Sequence, residues 1–271
     1  MRIKVSHATT YSYTAPADGV VQALRLTPGD HEGQHVVRWR LDADVDGRMR
    51  DSRDAFGNLL TMFYVDQPVR ELTLRVTGEV KTEDTAGVVR GAVEPLPPNV
   101  FLRTTPLTTP NRALLEFART IPDGAPLARL HELMGRLHAR LVFDTTATVV
   151  ATGAADAFDQ GRGVCQDYAH IFIAAARCIG LPARYVSGHL VRADSSDQEA
   201  AHAWAEAFVP DLGWVAFDAA NGVCADAFYL RVAVGLDYLD AAPLRGARRG
   251  GGEERLSVTV RAHQAGVQRQ E

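Results

Sequence analysis

The chain has 271 residues, 46% hydrophobic and 23% charged, with a formal net charge of −4. That allows one large domain or two ordinary ones around a full apolar core, and argues against a disordered, fibrous or helical membrane chain. The slightly acidic balance, with no basic run beyond Arg248-Arg249, gives no reason to expect a nucleic-acid partner.

The start, Met1-Arg-Ile-Lys-Val-Ser-His7, turns polar too soon for a signal peptide. No apolar run approaches the length of a membrane-spanning helix. The expected place is therefore the cytoplasm, with no membrane partner. Cys165, Cys178 and Cys224 are odd in number and lack framework spacing, as suits reduced thiols. Cys165 and His170 are five residues apart, about 140° around a helix, so they do not make a metal pair. Neither metal nor organic cofactor is expected.

Residues 1–90 read as an all-β domain. Residues 2–13 alternate as a first strand that Pro16 is expected to end, and strands follow at 23–26, 36–41, 59–65 and 72–80. Asp46-Gly47 and Phe56-Gly57-Asn58 read as hairpin turns. His7, His31 and His35 read as surface or turn residues. Pro95, Pro97, Pro98, Pro106 and Pro110 crowd an aperiodic stretch, so 91–110 reads as a linker.

From residue 111 the period becomes helical. Asn111 suits the cap of a short helix through Phe117. Pro126 opens a second helix whose stripe is Leu127, Leu130, Leu133, Leu137 and Leu141, with His131 and His138 on its exposed side. One more turn is expected at 154–158. Next comes Gly161-Arg-Gly-Val-Cys165, followed by Ala169, Phe172, Ile173, Ala176 and Ile179 at three- and four-residue steps. Gly180 suits the cap of this helix and Pro182 its stop. Cys165 thus falls at a helix N-terminus, where unpaired N–H groups and the macrodipole favour a thiolate over a thiol.

The period then changes to two. Residues 183–191 read as a strand, 194–199 as a polar loop and 201–209 as a second strand. On that second strand His202, Trp204, Glu206 and Phe208 share one face, while alanines 201, 203, 205 and 207 share the other, which suits close packing of a helix. Residues 210–213 make a turn and 214–218 return antiparallel. The register brings His202 beside Asp218, a carboxylate able to fix the imidazole tautomer and stabilise its protonated form. If the helix of Cys165 packs on this sheet, a thiolate–imidazolium pair with an orienting aspartate results.

Gly163-Val-Cys-Gln-Asp167, Gly180-Leu-Pro-Ala-Arg-Tyr-Val-Ser-Gly188, His202-Ala-Trp204 and Gly213-Trp-Val-Ala-Phe-Asp218 resemble the core of the transglutaminase-like superfamily. His7-Ala-Thr-Thr-Tyr-Ser-Tyr13, Phe56-Gly57-Asn58 and Val232-Ala-Val-Gly-Leu-Asp-Tyr238 resemble other segments of its bacterial branch with an N-terminal β domain. The resemblance implies an α+β, papain-like fold: an N-terminal all-β domain, then a core (111–250) whose Cys-bearing helix packs on an antiparallel sheet, then a strand and tail at 251–271. It implies Cys165 as nucleophile, His202 as general base and acid, and Asp218 as the residue that orients it. Two departures bear on the site. Asp218 is followed by Ala219-Ala220-Asn221 where the family often has Pro-Thr-Asn, and Phe143 stands where the branch often has a tyrosine able to donate. Stabilising an oxyanion then falls to the Cys165 backbone N–H and a second donor, for which Gln166 is the neighbouring candidate.

The expected chemistry is attack of Cys165 on the amide of a peptide or protein, giving a thioester resolved by water. An amine acceptor instead of water would make the chain a transglutaminase, and a triad without activity would leave a binding module. A cysteine redox enzyme would need Cys224, because Cys178 lies about 20 Å along the same helix. Trp204, Trp214 and Tyr185 are expected to wall the substrate cleft. At the end, 245–252 reads as a glycine-and-arginine loop and 256–262 as a final strand.

Overall fold

The computed structural model describes residues 1–191, 197–198 and 201–264. Most of the polar loop expected at 194–199 lies outside the described residues. The N-terminal half contains β1 (Arg2–Leu24), β2 (Gln34–Ala43), β3 (Arg48–Arg53), β4 (Leu59–Val65), β5 (Val69–Thr82) and β6 (Val88–Val89). Next come α1 (Arg112–Arg119), α2 (Pro126–Arg140), β7 (Val142–Phe143), α3 (Ala154–Gln160), β8 (Arg162–Gly163) and α4 (Cys165–Cys178). The chain continues through β9 (Ala183–Leu190), β10 (Asp197–Gln198), β11 (His202–Val209), β12 (Gly213–Asp218), β13 (Val223–Cys224) and β14 (Tyr229–Gly235). It ends with α5 (Tyr238–Ala241), β15 (Leu244–Gly250) and β16 (Glu254–Gln264).

β1 does not end at Pro16. It bends there and runs on, pairing with β5 and β16 through its first half and with β4 and β15 through its second. The register shifts on both sides of the bend, so the proline, which has no N–H to give a ladder, sits at a bulge. Arg245 to Gly252, expected as a loop, supplies most of β15, and the final strand β16 lies along residues 3–13 of β1. The chain's last strands thus complete its first sheet. Phe56-Gly57-Asn58 closes the β3–β4 hairpin as expected, whereas Asp46-Gly47 joins β2 to β3, which pair with β5 and β4 rather than with each other.

The second sheet has the order β13-β12-β11-β9-β14, with β6 added along β12. One face carries Ala203, Ala205, Ala207 and Tyr185, packed with Phe172, Ile173 and Ala176 of α4. Leu130, Leu133 and Leu137 of α2 close the same core. The alanines fit because a residue without a large side chain lets helix and sheet approach closely. Asn111 caps α1 by accepting from Leu114 N–H at 2.9 Å, and Gly180 takes φ +80° past the end of α4.

The other face meets the β domain and carries a buried charge cluster. Glu206 accepts from Arg184 Nε and Arg231 Nε, both at 2.7 Å, and Arg184 binds Glu94 with both terminal nitrogens. The Arg184 guanidinium lies 3.9 Å from the centre of the Trp214 ring. Glu94, β6 and the buried Phe101 all come from the proline-rich stretch or its approach, so that stretch packs down onto the core. Asn58 fastens the two sheets further, donating to Val234 O at 2.7 Å and accepting from Val234 N–H at 2.8 Å.

Candidate active site

Cys165 is the first residue of α4 and is half-buried. The helix is fastened at this end by Asp167, whose Oδ2 accepts from Val164 N–H at 2.8 Å and from Thr148 Oγ1 at 2.6 Å. Gly163 leaves the room for this, since a Cβ there would lie 2.5 Å from that carboxylate oxygen.

His202 opens β11, and Asp218 closes β12. The strands pair antiparallel from Val209↔Gly213 to Ala205↔Phe217, and that register carries His202 Nε2 to 2.6 Å from Asp218 Oδ2. Cys165 lies close enough to the same ring to help hold its pKa up. Nε2 being taken by Asp218, Nδ1 is the nitrogen left for the sulfur. Burial alone would lower the imidazole pKa, but the bonds and charges of Asp218 and Cys165 outweigh it and hold His202 at about 9.

Asp218 is buried and held by more than the histidine. Its Oδ2 also accepts from Asn221 Nδ2 at 2.6 Å and Tyr229 OH at 2.8 Å, and its Oδ1 from Ala220 and Asn221 N–H at 3.0 and 3.1 Å. Burial pushes this carboxyl up, yet the donors, His202 foremost, bring it below the usual carboxylate range. A carboxylate so saturated stays ionised beside an imidazolium.

Residues 116–219, which hold all three of these side chains, match the model of the transglutaminase-like superfamily. Residues 3–81 match that of the bacterial transglutaminase-like N-terminal region. The chain is 31% identical, over 96% of its length and 97% of the relative's, to an uncharacterized protein of Mycobacterium leprae. The chain belongs to the transglutaminase-like superfamily. An uncharacterized protein of Mycobacterium tuberculosis is 29% identical over 90% of this chain and 87% of its own. A crystal structure from Cytophaga hutchinsonii, provisionally named a cysteine protease, shares the fold with a TM-score of 0.78 at 19% identity, covering 100% of this chain and 92% of that one.

Elsewhere in the site of this superfamily member, Gln166 directs one N–H of its side-chain amide to Val150 O at 3.0 Å. Trp204, Trp214 and Tyr185, expected as cleft walls, are instead buried, at 2%, 5% and 2% exposure. Their large apolar rings are worth more inside than on an open wall. Trp204 lies behind His202, ring centres 6.1 Å apart, and its Nε1 finds no partner among the described residues. Trp214 packs on Phe101 and Arg184, and Tyr185 sits in the helix–sheet core, where burial first and then the nearby Cys165 push its hydroxyl pKa up. His131 and His138 are exposed as expected, whereas His7 is buried beside His189.

Two supporting residues escape a reading by periodicity. Asn221 stands three residues past Asp218, the local spacing of an Asx turn, and the altered Ala-Ala-Asn segment hid it in plain view. Tyr229 reaches Asp218 from β14, which no local signal announces. The spacing His31-Glu32-Gly33-Gln34-His35 also matches a zinc-hydrolase motif, whose logic requires a helix to put both histidines on one face. Here it forms the turn entering β2, with His31 Nδ1 accepting from Gly33 N–H and His35 facing Asp30 at 3.6 Å.

Proposed function

We propose that the chain cleaves amide bonds of peptides or proteins by cysteine-dependent acyl transfer, with water as the acceptor. The observation that carries this reading is His202 held at 2.6 Å by Asp218 with Cys165 close enough to help raise its pKa. The Cys165 thiolate adds to the carbonyl carbon, and the N–H groups of the first turn of α4 face the oxygen as it becomes negative. His202 Nδ1–H then protonates the leaving amine as the C–N bond breaks, leaving a thioester on Cys165. Water attacks the thioester, His202 takes its proton, the C–S bond breaks, and a carboxylic acid leaves. An amine in place of water would complete a transamidation, so acceptor choice rests on what reaches the thioester. Hydrolysis is preferred because it does not require water to be kept out. Three unpaired thiols among the described residues suit a reducing compartment such as the cytoplasm.

The test is the alkylation rate of each cysteine against pH, read by peptide mass spectrometry, in wild type and His202→Ala. Burial pushes the thiols of Cys178 and Cys224 up, so both should react slowly below pH 7. Cys165 is expected to react about tenfold faster or more and to lose that lead without His202, after which amide and ester libraries locate the substrate. Cys165 as slow as the other two would sink the reading in favour of a binding module. Cys224→Ser is expected to retain activity; loss would point to redox chemistry instead.

A further inference from the structure

Thirteen large hydrophobic side chains stand exposed among the described residues, and four of them fall within the short stretch 142–150. Val142 is 60%, Phe143 50%, Val149 71% and Val150 57% exposed. Isolated exposed apolar residues need no explanation, but a cluster does. This segment is also fastened, and four of its anchors lie within three residues of Cys165. Asp144 N–H donates to Gly163 O at 3.0 Å, Thr148 Oγ1 to Asp167 Oδ2 at 2.6 Å, and Gln166 Nε2 to Val150 O at 3.0 Å. The Phe143 ring centre is 6.5 Å from that of Tyr168. The anchors use backbone and polar groups and leave the valine side chains in solvent. The one ion pair described for the segment, Asp144 with Arg162, is internally neutral at 3.4 Å, so it offers no net charge to a charged side chain.

We propose that residues 142–150 form the side-chain subsite of the active site and seat a bulky aliphatic or aromatic side chain of a peptide substrate beside Cys165. The proposal rests on the reading of Cys165 as the nucleophile. Consecutive Cα atoms of a peptide are about 3.8 Å apart, so a substrate whose carbonyl reaches the sulfur carries its flanking side chains over the same helical turn that holds this segment. Covering Val149 and Val150 there releases ordered water, and a preference of about tenfold or more for an apolar over an acidic side chain follows.

Peptidyl chloromethyl ketones with leucine, phenylalanine, glycine or aspartate next to the reactive carbon test this directly. The thiolate displaces chloride, a C–S bond forms, and no turnover is needed. Each rate is divided by that of iodoacetamide, which has no side chain to seat. In wild type the leucine and phenylalanine probes should label Cys165 about tenfold faster than the aspartate probe on this scale. In Val149→Ser/Val150→Ser the ratio should fall towards one, whereas Val150→Leu should keep it. Both changes are on the surface and leave the anchoring bonds in place, so folding, followed by circular dichroism, should hold. No discrimination in a wild type whose Cys165 does react with iodoacetamide overturns the subsite while sparing the nucleophile. A Cys165 inert even to iodoacetamide overturns both. Sedimentation showing a dimer that Val150→Ser dissociates would assign the patch to a second copy and also overturn the proposal.

Discussion

Asp218 receives five hydrogen bonds, and their distribution decides how His202 behaves. Three donors meet on Oδ2, and Tyr229 is the one contributed by a strand, β14, that is not a neighbour of β12 in the sheet. Its O–H shares the negative charge that otherwise bears on the imidazole alone. Tyr229→Phe should therefore raise the pKa of Asp218, strengthen its pull on His202 and raise that of His202 as well. The sign is testable because His202 is already held at about 9, above its ordinary value. Its protonated form predominates until pH nears 9 and is lost as pH rises through that value, giving an alkaline limb to the rate. We expect the variant to move that limb upward and to lower kcat by about tenfold, the scale of one hydrogen bond to a charged group, with KM little changed. A pH–rate profile decides: a purely structural tyrosine would cost stability and leave the limb in place.

At the scale of elements, the site depends on how closely β9, β11 and β14 pack. Gly188 of β9 lies opposite both His202 and Arg231. A Cβ there would come within 2.1 Å of Leu230 O and 2.6 Å of the Trp204 ring, neither of which is free to yield. Gly188→Ala must push β14 outward or displace Trp204, which stacks behind His202. We expect a loss of about 2 to 3 kcal/mol, in the range of an overpacked core, seen as a lower midpoint in urea. Because β14 also carries Tyr229, the reactivity of Cys165 should fall in the same variant. The opposite face has slack of another kind: three alanines under α4 set the height of the helix, and with it the position of Cys165 over the sheet edge.

The whole molecule is held across its two sheets by groups sensitive to acid. His7 of β1 and His189 of β9 meet edge to face at 5.9 Å, and His170 lies buried in α4. Burial lowers His7 and His170 to about 4 and His189 to about 3. An unfolded chain takes up these protons near 6.5, so it binds more of them than the fold does between there and about 4. Stability is therefore full above about pH 6.5 and declines as pH falls through that window, at the limit by about 3 kcal/mol each for His7 and His170 and about 5 kcal/mol for His189. Chemical denaturation from pH 7.5 to 4.5 should show the decline, and His189→Phe should flatten it; an unchanged slope would put the acid response elsewhere.

Much of this was readable from local pattern. The start of α4 at Cys165, the cap at Asn111, the stripe of α2 and the hairpin register joining His202 to Asp218 are each specified by periods and turn chemistry that near neighbours along the chain dictate. The family follows from the same segments. What the sequence could not determine is whatever depends on strands meeting across long separations. Pro16 stops a strand in isolation, yet here it becomes a bulge because β15 and β16, from the far end of the chain, pair on both sides of it. Tyr229 reaches Asp218 only because β14 lies along β9, and His7 is buried only because the first sheet covers the second. Trp204, Trp214 and Tyr185 have the composition of a cleft wall, and the closing of two sheets over them makes them core instead. Local free energies choose the elements; which face of each is left to water is decided by partners that the local sequence does not encode.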